Sequence, residues 1–248
     1  MKLRCIGCDA LARPLYLCAA TSPHVVDVTL LRRGLHNHPP DLRTQLQAEV
    51  DATPAGYDAI VLAYGLCGGA TAGIVAGELP VVMPRAHDCI TVFLGSRERY
   101  QREFTSSPGT YWYVQDYLER DDGSGGGMLG PGVPTSEQLE ETYQQYLAKY
   151  GKDNADYLME TLGAFADHYD RAAFIDLGVG DPSEIEAKAR GEAEKRGWAF
   201  EKVKGSLELV RRLLAGDWED DFLVLQPGEK LAMSYDDGVI AAVAQLDT

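Results

Sequence analysis

The chain has 248 residues, 45% of them apolar and 25% charged, and a formal net charge of −15. That length suffices for one large α/β domain or two smaller lobes with a substantial core, and an acidic balance without a basic stripe argues against a nucleic-acid partner. No apolar run approaches the ~20 residues that span a bilayer, and the N-terminus opens on strand-like sequence with no signal-peptide pattern, so a soluble cytoplasmic protein is expected.

Residues 2–7 read as a first buried strand, with Cys8 and Asp9 at its carboxyl end and a helix over 11–20. Residues 24–31 are a second strand, rich in β-branched side chains. A loop over 34–40 carries His36, and a helix begins near Pro40 and Asp41 with Leu42, Leu46 and Val50 on one face. Residues 57–64 are the third strand, 70–78 are small and helix-compatible, and 80–84 are the fourth strand. The resulting β-α-β-α-β-α-β order implies a parallel sheet covered on both faces.

Residues 90–106 are helical with a break at Gly95, after which Ser96 caps the second piece. Residues 110–114 suit an edge strand, and the Gly-rich stretch 121–132 a linker or mobile loop. Thr135 and Gln138 form a capping-box signature for a helix bearing Leu139, Tyr143, Tyr146, Leu147 and Tyr150 and ending at Gly151. A second helix carries Tyr157, Leu158, Leu162, Phe165 and Tyr169, and the aromatic stripe of the pair reads as core. Further on come a strand over 172–177, a helix opened by Asp181-Pro182-Ser183-Glu184, strands over 199–203 and 222–225 around a helix capped by Ser206, and a short strand near Val239. The expected architecture is α/β: a doubly wound, mainly parallel sheet in two Rossmann-like lobes with an inserted αα-hairpin. Residues 1–120 form the N-terminal lobe, 121–170 the Gly-rich loop and hairpin, and 171–248 the C-terminal lobe.

The five cysteines are Cys5, Cys8, Cys18, Cys67 and Cys89. An odd count without a secretion signal argues against a disulfide framework. Cys5 and Cys18 read as core. In open parallel sheets, ligands gather outside the carboxyl ends of the strands, where strand order reverses. That rule sets Cys8 after the first strand, His36 after the second, Cys67 after the third, and Arg85, His87 and Cys89 after the fourth. Three thiolates and an imidazole suit zinc, or a [4Fe-4S] cluster with one open iron. His87 and Cys89 point the same way if the backbone between them is extended. The metal ligands expected are therefore Cys8, Cys67, Cys89 and His87, with His87, Arg85 and Asp88 as candidate catalytic groups. Gly65, Gly68 and Gly69 either bring backbone N–H groups to a phosphate or carboxylate or make the tight turn that seats Cys67. His36 and Asp176 are further strand-exit candidates for ligand contact, against plain loop, turn or capping roles.

Four segments carry a family resemblance: Ile6-Gly7-Cys8-Asp9, Gly34-Leu35-His36-Asn37, Tyr64-Gly65-Leu66-Cys67-Gly68, and Pro84-Arg85-Ala86-His87-Asp88-Cys89-Ile90 followed by Leu94-Gly95-Ser96. In these the chain resembles a functionally uncharacterised prokaryotic domain-of-unknown-function family; the second half is similar only in its α/β pattern. The resemblance implies a setting in anaerobic one-carbon metabolism and corrinoid-dependent methyl transfer, with a corrinoid protein or methyltransferase as partner. By motif it implies Cys8, Cys67, His87 and Cys89 as the site. The family carries Glu where this chain has Asp9, which leaves an acidic role there open.

Three functions remain in view. One is a metalloenzyme, a methyl or alkyl transferase or a lyase, acting on a small thiol, carboxylate or methyl donor. Another is a non-catalytic accessory protein for a corrinoid or methyltransferase system, although the Asp-x-His-x-x-Gly signature of a base-off corrinoid domain is missing. The third is metal-free nucleophilic catalysis by Cys67 or Cys89 with His87 as base.

Overall fold

The computed structural model describes residues 1–120, 136–166 and 168–244. β1 (Lys2–Cys8) leads through a 3-10 turn at Asp9–Leu11 into α1 (Ala12–Thr21). β2 (Val25–Leu31) is followed by a second such turn, Arg33–Asn37, and by α2 (Pro39–Asp51). Prolines open α2, where a missing N–H costs nothing, and Leu42, Leu46 and Val50 form its buried stripe. β3 (Ala59–Ala63) and β4 (Val81–Pro84) are buried at every residue, so both of their faces are covered.

The helix expected over 70–78 does not form. Cys67–Gly69 make a short 3-10 turn, and Val75 then bridges antiparallel to Lys230. The N–H of Gly73 donates to the Leu231 carbonyl at 2.7 Å, and the Leu231 N–H to Ile74 at 2.8 Å. Four glycines between 68 and 77 weaken the helical alternative, and the later strand satisfies the backbone instead. The break at Gly95 falls where the sequence places it. α3 (Cys89–Leu94) ends on that glycine at φ 81°, and the Ser96 hydroxyl accepts the Arg99 N–H at 3.0 Å at the start of α4 (Arg97–Ser106).

β5 (Thr110–Val114) and α5 (Gln115–Glu119) follow. The Gly-rich stretch 121–132 and Thr135 of the capping box lie outside the described residues. α6 (Ser136–Tyr150) and α7 (Lys152–Ala166) are separated by Gly151 alone, at φ 77°. The Tyr143 hydroxyl donates to Asp156 at 2.9 Å. The aromatic stripe is not all core: Tyr150 is 44% and Tyr157 68% exposed.

β6 (Arg171–Asp176), α8 (Ser183–Arg196), β7 (Ala199–Lys204), α9 (Glu208–Ala215), β8 (Phe222–Leu225), β9 (Glu229–Met233) and β10 (Ile240–Ala244) complete the described chain. The Asp181 carboxylate accepts the Ser183 N–H at 3.1 Å, which opens α8.

The central sheet has the order β2-β1-β3-β4-β8, parallel except for β8, which runs antiparallel on β4. Gly7 is level with Ala63, Cys8 with Leu31, and Val61 with Val82. Strand order reverses between β1 and β3. A second sheet has the order β5-β6-β7, with β5 and β6 parallel, and β9 and β10 form an antiparallel pair. The fold is thus mixed α/β with a mostly parallel central sheet. Two compact units are distinguished: Met1–Arg102 with Leu177–Val179 and Lys204–Thr248, and Glu103–Asp176 with Gly180–Val203. Residues 171–248, expected as one lobe, are divided between them because β8 completes the central sheet while β6 and β7 lie with β5. Among the described residues no helix is long and apolar enough to cross a membrane.

Candidate functional site: thiols at the strand exits

β1, β3 and β4 are adjacent and parallel, so their carboxyl ends lie along one edge of the central sheet. Cys8 is the last residue of β1, Cys67 lies in the turn after β3, and Cys89 is the first residue of α3 after β4. All five cysteines are free thiols. Cys5 and Cys18 are buried, while Cys8, Cys67 and Cys89 are partly exposed. An ionised Cys67 raises the pKa of Cys8, and both Cys67 and Cys8 raise that of Cys89. Cys8 and Cys67 pack against one core cluster, and their charges bear on Cys89.

The exit loops of β3 and β4 are fastened to each other. The Leu66 N–H donates to the Ala86 carbonyl at 2.8 Å and the Cys67 N–H to the His87 carbonyl at 2.9 Å. Gly65 permits this pairing, since a Cβ there would stand 2.5 Å from the Asp88 Cα. Cys67 itself has φ 48°, the left-handed region that costs an L-residue about 1–2 kcal/mol. Such strain persists where the surroundings over-determine it, and functional sites are where it collects. Here the loop pairing holds it, together with Asp88, whose carboxylate accepts the Ile90 and Thr91 N–H groups at 3.0 and 3.2 Å and caps α3.

Burial pushes the Cys67 thiol up to about 12, and the nearby Asp88 charge adds to the rise. Main-chain hydrogen bonds from Gly65 and Cys89 to the sulfur pull the other way. Burial raises Cys8 and Cys89 further still; a main-chain hydrogen bond at Ala10 opposes the rise at Cys8. Cys8 also feels Asp9 and the guanidinium of Arg33, a residue only 2% exposed. Without an added cation these thiols keep their protons at neutral pH, so metal-free nucleophilic attack has little thiolate to draw on.

His87 is exposed, and its ring stacks on Tyr100 at 5.6 Å and 28°. Arg85 donates to the carbonyls of Phe222, Gly238 and Ile240 at 3.3, 3.1 and 2.5 Å, which ties down the end of the chain. Asp88 is spent on the cap of α3, and burial holds its carboxyl above the usual range. His36 is half-buried with Nδ1 2.5 Å from the Arg33 carbonyl, and burial lowers its pKa. Gly68 is open to space on its Cα, and a Cβ on Gly69 would meet the Met233 sulfur at 3.5 Å. Asp176 belongs to the other unit, where it pairs with Lys202 at 3.0 Å.

Two residues not singled out from the sequence stand beside the thiols. One is Arg33. The other is Tyr64, directly after β3, 3% exposed, whose hydroxyl has no hydrogen-bond partner among the described residues. The charges of Cys8, Cys67 and Asp9 all bear on it. Its sequence signal is a single polar handle at the end of the apolar run Ala59–Ala63. The donor set, three thiols with amides directed at their sulfurs, has the chemistry of a soft-metal site. Among the described residues, however, no three His, Cys, Asp or Glu side chains stand in an arrangement to hold a metal ion.

Residues 30–214 match the DUF1638 family, described as proteins of unknown function, and the chain belongs to that family. The match takes in Cys67, His87 and Cys89, leaves Cys8 outside, and reaches well beyond the motif-bearing first part of the chain. No curated protein and no solved structure matches the chain.

Proposed function

We propose that this member of the DUF1638 family is a metalloprotein in which Cys8, Cys67 and Cys89 hold zinc or a [4Fe-4S] cluster, and that it acts on a small thiol, carboxylate or methyl donor. One observation carries the reading: the three partly exposed cysteines share one neighbourhood at the ends of three adjacent parallel strands, beside the reversal of strand order. When bound, the metal supplies the positive charge that stabilises the thiolates and an open position for substrate. The chain's own part is to seat Cys67 through the Gly65 contact and to direct main-chain amides at its sulfur. His87, at the rim and stacked on Tyr100, is placed to exchange protons with solvent.

The family resemblance adds a cytoplasmic setting in one-carbon metabolism, with a corrinoid protein or methyltransferase as partner and methyl or alkyl transfer as the reaction class. A doubly wound Rossmann-like topology and a hairpin of α6 and α7 complete the reading. The test is elemental analysis of protein prepared anaerobically with iron and zinc supplied. Stoichiometric metal that disappears in Cys67→Ala is expected; wild-type protein without it would sink the proposal.

A second reading, a metal-free accessory protein, is favoured by the lack of a ready three-ligand arrangement among the described residues. It predicts that metal-free Cys67→Ala still captures its corrinoid or methyltransferase partner.

A further inference from the structure

We propose that the Tyr64 hydroxyl is a hydrogen-bond donor that orients a small anionic ligand, a carboxylate or thiolate, against Cys8 and Cys67. This rests on the thiol cluster being a ligand site, and it holds whether or not a metal is bound there.

The argument begins with an unmet bond. Tyr64 is 3% exposed and its oxygen finds no partner among the described residues. A buried donor left unsatisfied costs about 1–3 kcal/mol, and the large majority of buried polar side-chain atoms do have partners. Packing alone does not call for the hydroxyl, because phenylalanine fills the same space without that cost. The position is equally specific. Tyr64 directly follows β3, three residues before Cys67, at the edge where Cys8 also ends its strand. Tyr64 belongs to the buried cluster against which Cys8 and Cys67 pack, and the charges of Cys8, Cys67, Asp9 and Cys5 bear on it.

The charge around it selects the ligand. Arg33, buried at 2% exposure, places its positive charge within reach of Cys8, and its main-chain N–H donates to the Asp9 carboxylate at 2.8 Å. A phenol donates most strongly to an ionised acceptor, by roughly a factor of two over a neutral one. An anionic end on a small ligand would take the Tyr64 O–H as its donor, and beside Cys8 it would meet the positive charge of Arg33.

Alkylation of the reduced, metal-free full chain tests this with two probes of one shape, iodoacetate and iodoacetamide, applied over hours at about pH 9.5, where even buried thiols supply enough thiolate to react. In each case a cysteine sulfur displaces iodide, an S–C bond replaces the C–I bond, and the thiol proton passes to solvent. Rates at Cys8 and Cys67, read by mass spectrometry, are compared with those on free glutathione. Wild-type protein is expected to favour iodoacetate over iodoacetamide more than glutathione does. Tyr64→Phe is expected to lower that preference by about tenfold, the worth of one charge-assisted hydrogen bond, with unfolding stability unchanged or raised. The proposal is overturned if the preference is the same in both proteins, if neither cysteine is labelled, or if Tyr64→Phe loses stability. None of those outcomes touches the metal reading, which metal content in Cys67→Ala decides separately.

Discussion

Gly65 lies against the backbone of Asp88, so closely that a Cβ on Gly65 would come within 2.5 Å of the Asp88 Cα and 2.7 Å of its N and C. The obstacle is main chain rather than a flexible side-chain end. The contact locks the exit of β3 to the exit of β4 and sets Cys67 and Cys89 in relation to each other.

Gly65→Ala is therefore expected to destabilise the protein by about 1–3 kcal/mol, the usual cost of overpacking a closed site. Urea unfolding should show a lower midpoint at constant slope. An unchanged midpoint would mean that the two loops separate easily.

Cys67 pays for its left-handed backbone, and two substitutions separate that strain from its chemistry. Both Cys67→Ala and Cys67→Gly remove the sulfur, but only glycine adopts φ 48° freely. After allowing for glycine's larger unfolded-state entropy, Cys67→Gly should be the more stable of the two by about 0.5–1 kcal/mol. Equal stabilities would show that the turn relaxes in the variants.

The thiols give stability a sign with pH. Cys67 is held up to about 12 in the folded chain, against about 8.5 when unfolded. For a raised folded value, the stabilisation is complete below the unfolded value and is lost as pH rises towards the folded one. Reduced, metal-free protein should thus lose stability above about pH 8.5, at up to about 1.4 kcal/mol per pH unit for each such thiol. Cys67→Ser should flatten that decline. Stability that rises over the same range would contradict the burial of these sulfurs.

Arg85 binds three carbonyls that lie far along the chain, on Phe222, Gly238 and Ile240. Between the last two sits Val239, buried at 2% with φ 66°, a left-handed conformation rare for a β-branched residue. Arg85→Ala is expected to cost about 2–3 kcal/mol and to open the segment around residues 234–244 to limited proteolysis. Arg85→Lys, with a point charge in place of a planar fork, should recover only part of that. Wild-type resistance in Arg85→Ala would remove the clamp as an explanation for Val239.

What the sequence legibly carried is local. Apolar runs of four and five residues mark β4 and β3, and Gly95 followed by Ser96 marks the joint between α3 and α4. Because strand direction is implied by alternation with helices, the carboxyl-end rule also brings Cys8, Cys67 and Cys89 to one edge from sequence alone. The segment after Cys67 has small residues that permit a helix; only pairing with β9, more than 150 residues later, decides against it.

The sequence by itself therefore determined which residues could reach the site, since reach depends on the strand each residue follows. Which partners those residues meet was decided by tertiary contacts. Arg85, a candidate catalytic group by its strand exit, is engaged by the carbonyls of Gly238 and Ile240. Asp88 is consumed by a helix cap, and His87 is turned outward onto Tyr100. Tyr64, only a polar handle at the end of an apolar run in the sequence, becomes informative because folding surrounds its hydroxyl and gives it no partner among the described residues. The physical reason is the same in each case: strand and helix patterns follow from short-range spacing along the chain, whereas hydrogen-bond satisfaction depends on what long-range packing brings near.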